Sequence, residues 1–503
     1  MRGGRAVTDG PLADLVEMGD LVVAHRPWPR VWVDATIWQR AVDRLADGSL
    51  TLLGLWGEPG GAHMALLGGG SPGVAVLSIE CPGGGYPSVG ARHAPAIRLE
   101  RAMRDLFGLE PVGLTDTRPW LDHGRWGDEQ TPAASYRFLP VEGGGLHQIP
   151  VGPVHAGIIE PGHFRFTCDG ETVVRLEERL GYVHKGVEVL MSRASLDRGR
   201  RLAGRVSGDS TVAYALAFCR AAESALGVGV PARAVWLRAV MAELERVANH
   251  IGDFGAICND ASFSLMLAHC AVLREKVLRA SADCFGHRLM MDRIVPGGVT
   301  ADLGVREIGR LGALVGELRA AMPALAKLYD ETPSLQDRTV TTGILRPELA
   351  KRFAPGGFVG RASGRDFDAR RDLAYAPYDA LTFAVPVLQD GDVNARVWIR
   401  LKEIDASLGL LDQLLRGLPD GPIGEAIVDL GTEVAEGMAV VEAFRGDVLV
   451  WLRIGDGVIE RCHMRDASWF QWPLLEAVIE GNIVADFPLC NKSFNCSYSG
   501  HDL

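Results

Sequence analysis

The sequence of 503 residues lacks features that would place it in several familiar protein classes. Its nine cysteines form no Cys-x-x-Cys pair, so the usual thiolate ligand pairs of a zinc site or an iron–sulfur cluster are missing. No apolar run approaches the roughly 18 residues that span a bilayer. The opening segment MRGGRAVTDGPLADLVEMGD also lacks the apolar stretch of a signal peptide. We therefore expect a protein in the cytoplasm or peripheral to the cytoplasmic face of the inner membrane.

The chain also has fewer basic than acidic residues. The chain has 52 Lys and Arg against 63 Asp and Glu, a net charge of −11, which disfavours nucleic acid as a partner. No G-x-G-x-x-G motif stands between a strand and a helix, and GGGSPG at 68–73 is a glycine-rich turn. These absences argue against a free dinucleotide-dependent dehydrogenase.

The chain is long enough for two to four domains at roughly 100–200 residues each. Residues 1–110 have an α+β pattern, with strands predicted at 31–35 and 73–80 and a capped helix at 34–46. Residues 111–149 are rich in glycine, proline and charge, which predicts a linker. The fold class we expect is this α+β domain followed by a mainly α-helical bundle domain, with small β elements, over 150–503.

Long amphipathic or apolar segments predict the helices of the second domain. They occupy 209–226, 231–253 and 306–331. In the middle segment one apolar face recurs at steps of three and four residues: Leu237, Val240, Met241, Leu244, Val247, Ala248 and Ile251. Pro231 fits the first turn of this helix.

The loop PVGPVHAGIIEPGHFRF, at 150–166, brings His155, Glu160 and His163 close together among glycine and proline. Imidazole and carboxylate groups on a tight loop can pass protons to a buried site. The alternative is an ordinary turn with satisfied polar groups.

Two further segments carry polar clusters. In RLGYVHKGVE, at 179–188, helical spacing would place His184 and Glu188 on one face, as in an ordinary salt-bridged helix. In RRLAGRVSGDS, at 200–210, Asp209 and Ser210 precede an apolar helix, and Gly204 suggests close approach of the backbone to another group. Simple helix capping explains the second segment equally well.

The C-terminal segment DFPLCNKSFNCSYSGHDL, at 486–503, combines polar and reactive groups with side chains that need cover. Phe487, Leu489, Phe494 and Tyr498 supply the apolar surface. We expect this segment to be ordered and docked inside the fold.

Four segments occur in an order that resembles one protein superfamily. They are GPVHAGIIEPGHFRF at 152–166, RLEERLGYVHKGVE at 175–188, ELERVANHIGD at 243–253 and GHRLMMDRIVPGGV at 286–299. Residues 146–503 resemble the large subunit of membrane-bound, energy-converting nickel–iron hydrogenases and the quinone-site subunit of respiratory complex I, which share a fold. APAIRLERAMRDLFGLEP, at 94–111, is similar to the small α+β subunit of complex I, and fusion of the two is a known arrangement.

The resemblance fails at the metal ligands. Hydrogenases of this kind hold nickel and iron with two Cys-x-x-Cys pairs, whose positions align here with Ala203 and Val206 and with Ser497 and Gly500. Alanine, valine and glycine side chains cannot replace thiolates as ligands. The sequence therefore predicts no nickel–iron centre and no hydrogen chemistry.

The complex I pattern also departs. The tyrosine that holds the quinone headgroup aligns with Gly204, and the loop histidine falls near Glu160, where hydrogenases have a proton-handling glutamate. The resemblance thus implies that Glu160 lies near a closed-off cavity formed by 200–210 and 493–500. Asp209 would pair there with Arg200, Arg201 or Arg205, which would lower its pKa.

These observations favour a redox-complex subunit without a metal site of its own. We expect catalytic roles for Glu160, His163, Asp209 and Ser210, and contact with a bound acceptor such as quinone for His155, Gly204, Ser497 and Gly500. The resemblance implies a small iron–sulfur subunit, which would hold the cluster, and antiporter-like membrane subunits as partners. The alternative is a non-catalytic scaffold or coupling element of such a complex.

Overall fold

A computed structural model describes residues 10–71, 73–124, 126, 136–155, 159–425, 427 and 433–503. The N-terminal region, residues 10–124, is a five-stranded sheet with helices against it. Its helices are α1 (Ala13–Glu17), α2 (Ala35–Ala46) and α3 (Ile97–Phe107). Its strands are β1 (Asp20–Leu21), β2 (His25–Arg26), β3 (Arg30–Trp32), β4 (Thr51–Glu58), β5 (Gly61–Leu67), β6 (Val74–Glu80), β7 (Gly85–Pro87) and β8 (Glu110–Val112). The sheet order is β1-β3-β6-β5-β4, and β7 pairs with β8.

The remainder of the chain contains most of the helices. Short helices α4 (Val187–Met191) and α5 (Leu196–Ala203) precede the long α6 (Thr211–Leu226), α7 (Ala232–Asp260), α8 (Ser264–Phe285) and α9 (Val305–Asp330). Then follow α10 (Pro333–Thr339), α11 (Pro347–Phe353), α12 (Gly357–Arg361), α13 (Ala369–Asp372) and the long α14 (Val393–Arg416). The last three are α15 (Ser468–Val478), α16 (Phe487–Phe494) and α17 (Tyr498–Asp502).

The same part of the chain contains three further sheets. Antiparallel strands β9 (Leu146–Val151), β10 (His163–Asp169) and β11 (Thr172–Arg179) form one, and β12 (Ile294–Val295) and β13 (Gly298–Val299) form another. The third consists of β14 (Ala435–Ala443), β15 (Gly446–Gly455) and β16 (Val458–Arg465), and it accepts β2 beside β14. Strands β14–β16 were not predicted from the sequence, so the β content exceeds the small elements that we expected.

Strand β2 links the N-terminal region to the C-terminal sheet. His25 pairs in parallel register with Glu436, and Arg26 with Gly437. Next to this pairing the buried Arg30 guanidinium binds the Glu436 carboxylate at 2.5 Å. We call this contact between the two sheets the seam. The domain boundary predicted at 111–149 stays a prediction, and ordered strands β8 and β9 overlap its two ends.

Several predicted elements agree with the structure. Helix α2 begins after Asp34, whose carboxylate accepts hydrogen bonds from the backbone N–H groups of Thr36 and Ile37, both at 2.9 Å. The predicted apolar face of α7 is buried at all seven positions, while Pro231 precedes its first turn as the N-cap. The mixed fold therefore follows the local signals of the sequence over these segments.

One local prediction is wrong. His184 and Glu188 do not share a helix face, because α4 begins only at Val187. Gly186 precedes it with a φ of 65°, a left-handed conformation that glycine adopts without a steric cost. No helix of the described residues is both long enough and apolar enough to cross a membrane.

Candidate functional site

A cavity of about 730 Å³ lies where the loop around Glu160, the start of α6, the end of α7 and the C-terminal segment meet. We call it the first cavity. Its wall contains Ile159 and Glu160, Ser207–Asp209, Arg445, and Asn495–Ser499. The C-terminal segment 486–503 is described throughout, and its apolar residues Phe487, Leu489, Phe494 and Tyr498 are buried as expected.

Asp209 and Arg445 form an ion pair in the wall of this cavity. The guanidinium Nη1 and Nη2 atoms lie 2.8 and 2.5 Å from the two carboxylate oxygens, and the Ser207 hydroxyl donates to Oδ1 at 2.7 Å. Burial by itself would raise the pKa of Asp209, but the charge and hydrogen bonds of Arg445 outweigh burial and hold this pKa below its ordinary value. Asp209 is thus an anion at neutral pH.

The partner that we expected for Asp209 is wrong. Arg200 and Arg201 contact Asp197 instead, and Arg205 binds Asp292 at 2.6 Å. Arg200 and Arg201 pair with Asp197 at helical spacing within α5, whereas Arg205 follows that helix and reaches the segment before β12. Arg445 comes from the turn between β14 and β15, far along the chain, and no local pattern could have paired it with Asp209.

Glu160 lies in the wall of the first cavity. Its Oε2 accepts a hydrogen bond of 3.0 Å from the backbone N–H of Ser499, which ties the loop to α17. Glu160 is exposed, so the cavity is open to solvent here rather than closed off. An exposed carboxylate with one oxygen held by the backbone can exchange protons with water.

The two loop histidines do not line the first cavity. His163 begins β10, and its Nδ1 is 2.9 Å from the Gly152 carbonyl oxygen while its ring packs 5.2 Å from the ring of Phe138. His155 is exposed on the same loop. Strand pairing of β9 with β10 holds this part of the loop against the sheet, so Glu160 alone of the three reaches the cavity wall.

Ser210 and Gly204 lie behind the wall. The Ser210 hydroxyl accepts a hydrogen bond of 3.3 Å from Arg445, and it is buried. Gly204 is packed against Thr211, whose hydroxyl donates to the Gly204 carbonyl at 2.7 Å. A Cβ at Gly204 would lie 3.1 Å from that hydroxyl oxygen, so the close approach that we predicted is to the next helix rather than to a ligand.

The four positions aligned with metal ligands lie close to one another in the chain's interior and contain no thiol. Ala203 and Val206 are buried and carry only hydrocarbon. The Ser497 hydroxyl is 3.1 Å from that of Ser207 and accepts from the Gly500 N–H at 2.9 Å. A Cβ at Gly500 would lie 2.7 Å from Oδ2 of Asp466, so this position has no room for a cysteine without displacement of the aspartate.

A chain of buried polar groups behind the cavity was not predicted from the sequence. Asn495 donates to Asp253 at 2.9 Å, and Asp253 is 3.2 Å from Arg400. Deeper still, Arg361 binds both Glu403, at 2.8 Å, and Glu442, at 2.9 Å. The signal was charged residues inside otherwise apolar helical segments, such as ELER at 243–246 in α7.

The described ranges contain no group of three or more His, Cys, Asp or Glu side chains arranged to hold an ion. The first cavity offers the exposed carboxylate of Glu160, the Asp209–Arg445 ion pair, the half-buried Asp260 and Lys492, and several hydroxyl and amide groups. Such a wall can bind a polar acceptor and supply it with protons.

Comparisons with known proteins agree with the resemblance. A family model described as "Respiratory-chain NADH dehydrogenase, 49 Kd subunit" matches residues 260–429. The chain is 33% identical over 438 residues to formate hydrogenlyase subunit 5 of Escherichia coli (strain K12), which covers 83% of this chain and 77% of that protein. It is 32% identical to an NADH-quinone oxidoreductase subunit of Roseiflexus sp. (strain RS-1), over 67% of this chain and 94% of that protein.

A solved structure supports the same assignment. One chain of the membrane-bound sulfane sulfur reductase, an archaeal respiratory membrane complex, matches with a TM-score of 0.67 and 25% identity. The match covers 71% of this chain and 99% of that one. The protein therefore belongs to the family of respiratory-complex subunits that contains formate hydrogenlyase subunit 5 and the matching subunit of NADH-quinone oxidoreductase.

Proposed function

We propose that this chain is the acceptor-binding subunit of a membrane-associated redox complex. Electrons would come from an iron–sulfur cluster in a small partner subunit and reduce an acceptor such as a quinone in the first cavity. Antiporter-like membrane subunits would couple this step to ion translocation. The observation that carries the proposal is the meeting of Glu160 and the Asp209–Arg445 pair in one cavity of about 730 Å³.

The residues at the four ligand positions do not fit a nickel–iron centre. Two side chains are hydrocarbon, one position is glycine, and the Ser497 hydroxyl is already engaged with Ser207 and Gly500. Soft thiolates are the ligands that such metals require. Elemental analysis of the purified chain should accordingly find no stoichiometric nickel, and one nickel per chain would contradict the proposal.

Glu160 and the Asp209–Arg445 pair would have different tasks. Reduction of a quinone to a quinol consumes two electrons and two protons. Glu160 is exposed and can pass protons from water into the cavity. Asp209 keeps its charge because Arg445 lowers its pKa, so it would hold the guanidinium in place rather than donate a proton. The Arg445 guanidinium would then orient an acceptor oxygen.

The Glu160→Gln variant tests this assignment. The amide keeps the shape and can still accept from the Ser499 N–H, but it carries no exchangeable acidic proton. Loss of a general acid costs about 10²–10⁴-fold in rate. Acceptor reduction by the assembled complex should fall by that amount, while the complex still assembles. Glu171→Gln is the matched control and should keep full activity, because Glu171 lies in the exposed turn between β10 and β11.

The second candidate is a scaffold or coupling subunit without catalysis. The observation that favours it concerns the positions that align with the metal ligands of hydrogenases. Internal contacts among Ser497, Gly500 and Asp466 fill the space there. Under this alternative Glu160→Gln would leave turnover in intact membranes near normal. Full activity of that variant would therefore favour the scaffold over an acceptor site.

A further inference from the structure

A second cavity, of about 330 Å³, lies on the other side of the C-terminal segment. It is bordered by α3 and β4 of the N-terminal region, by α4 and β16, and by residues 501–503, and it opens to solvent beside the exposed Val189. We propose that this second cavity is a binding site for a neutral aromatic molecule of about two rings. The proposal is independent of the function proposed for the first cavity.

The apolar wall comes mainly from one face of α3. Leu99, Ala102, Met103 and Leu106 recur at steps of three and four residues, so their side chains lie on the same side of the helix, and all four border the cavity. The first three are at most 5% exposed to solvent. Burial of an apolar molecule against such an apolar wall is favourable, because it removes apolar surface from water.

Aromatic side chains border the same space from three directions. Trp56 comes from β4, Phe107 from the end of α3, and Trp469 from α15. Trp56 stacks on His463 with an interplanar angle of 13°, and Trp469 stacks on His501 at 4.0 Å between ring centroids. Fixed rings of this kind favour a planar partner, because aromatic pairs gain free energy beyond simple burial.

The charged groups of the wall are already paired. The Glu188 carboxylate accepts from Arg461 at 2.7 Å, from His463 at 2.9 Å and from the backbone N–H of Met464 at 2.9 Å. Asp502 accepts from the Gly181 N–H at 2.9 Å, and His501 Nδ1 lies 2.8 Å from its other oxygen.

These charges are paired with one another, although the Arg461 Nε and His463 Nε2 atoms have no hydrogen-bond partner among the described residues. A charged ligand would therefore enter without a counter-ion. Burial of an unpaired charge is costly. Burial also lowers the pKa of both His463 and His501, which favours their neutral forms. The wall therefore selects a neutral ligand.

The volume limits the size of that ligand. An enclosed apolar cavity of about 150 Å³ accommodates benzene. The cavity of about 330 Å³ is roughly twice as large, which fits two fused six-membered rings.

The second cavity borders the first through a single short segment. Ser497–Ser499 line the first cavity, whereas His501–Leu503 line the second. A ligand in the second cavity would thus contact the same helix α17 whose backbone holds Glu160. The two sites are separate, so either can be removed by a variant that leaves the other intact.

Fluorescence titration of the full chain, purified within its complex, with 2-naphthol tests the proposal. Saturable binding of one 2-naphthol per chain is expected. 2-Naphthoate has the same rings and a negative charge, and it should bind at least tenfold more weakly. Glu160→Gln should bind 2-naphthol as the unaltered chain does, which separates this site from the first cavity. Equal affinity for the two probes would overturn the proposal.

Two variants locate the binding. Ala102→Phe fills the space from α3 and should weaken 2-naphthol binding at least tenfold. Leu106→Trp should have the same effect. Leu106 is half-buried, so a larger ring is more easily accommodated at its position. Ala326→Phe, in a groove between α9 and α14, is the matched control and should bind normally. Unchanged binding by a folded Ala102→Phe or Leu106→Trp chain would place the probe elsewhere and refute the site.

Discussion

The N-terminal sheet and the helical region are stabilised by different kinds of core. In β5 and β6 the buried positions are mainly hydrocarbon, as in Met64, Leu66, Val76 and Leu77, all fully buried. Between α7, α12, α13, α14 and β14, by contrast, charged side chains are buried in contact with one another. Apolar packing tolerates substitutions of similar volume, whereas a buried ion pair requires its partner at a fixed position.

The buried charges of the helical region form a connected cluster. We define the ionic core as Glu243, Arg246, His250, Arg361, Asp368, Arg370, Glu403 and Glu442. Within it Arg370 binds Glu243 at 3.0 Å and Asp368 at 2.7 Å, and His250 contacts Glu403 at 2.8 Å. We infer that this core specifies the mutual arrangement of the helices behind the first cavity more than it adds to net stability.

The largest effect is expected from Arg361→Met. This change removes the guanidinium that binds Glu403 and Glu442 and leaves both carboxylates in a dry interior. Breaking a buried ion pair costs about 3–5 kcal/mol. Urea-induced unfolding followed by circular dichroism should show a loss of that size for the transition of the helical region.

Arg371→Met is its matched control. Arg371 pairs with Asp366 and Asp372 at the surface, where an ion pair contributes about 0–1 kcal/mol. Similar losses of unfolding free energy from the two variants would mean that ion pairs in the ionic core contribute no more than those at the surface. The contrast between the two regions would then fail.

One buried group in each region should make stability depend on pH in opposite directions, and the group in the helical region is Glu245. Burial raises the pKa of Glu245 to about 8, against two backbone N–H groups of α6 that oppose the shift. The folded state therefore keeps a proton that the unfolded chain has lost above its ordinary pKa of 4.5. Between these two values stability falls by up to about 1.4 kcal/mol per pH unit as pH rises.

Hydrogen exchange of α6 and α7 amides can measure this slope. In Glu245→Gln the group no longer titrates, so the fall in protection between pH 5 and 8 should be smaller than in the unaltered chain after correction for the intrinsic exchange rate. An equal slope in both chains would show that Glu245 is ionised in the folded state.

The seam should weaken at acid pH instead. Burial lowers the pKa of His63 to about 4, although the neighbouring Glu58 opposes the shift. Below its ordinary pKa of 6.5 the unfolded chain binds a proton that the folded chain excludes. Stability contributed by neutral His63 is therefore present above pH 6.5 and is lost as pH falls toward 4, by up to about 1.4 kcal/mol per pH unit.

The protection of the β4 and β5 amides from hydrogen exchange should fall with this loss of stability. His63→Gln removes the titration and should flatten the acid loss in these strands, while α6 and α7 keep their own response. Acid loss of the same steepness in the variant would assign it to another group of the seam, but not to Glu58, whose lowered pKa affects stability only below its ordinary value of 4.5.

Local signals predicted much of the fold but little of the site's electrostatics. Helix α7 was predictable because its apolar residues recur on one face, and α2 because Asp34 caps it. The seam was not predictable, because the pairing of Arg30 with Glu436 joins residues that are 406 positions apart in the sequence. No periodicity within one segment carries information about such a partner.

The candidate site shows the same limit. The resemblance brought Glu160, Asp209 and Ser497 to attention, and all three line the first cavity. It could not identify Arg445 as the partner of Asp209, because that contact depends on how the turn between β14 and β15 meets the start of α6. His163 was misplaced for a related reason: pairing of β10 with β9 turns its ring toward Gly152.

The smallest losses of unfolding free energy are expected from variants of the helix caps. One cap from each region allows a further comparison of the two regions. Asp34 caps α2 from an exposed position, so water can replace its hydrogen bonds in Asp34→Ala, and the loss should be about 0.5–1 kcal/mol. Asp392 caps α14 but is only 4% exposed. Its two oxygens accept from the Ala395 and Thr341 N–H groups, both at 2.7 Å. Asp392→Ala leaves those donors without water, so its cost should reach about 2 kcal/mol. Urea unfolding of both variants measures the difference. Equal losses would show that water reaches the buried cap, and the helical region would then be less dry than its ionic core implies.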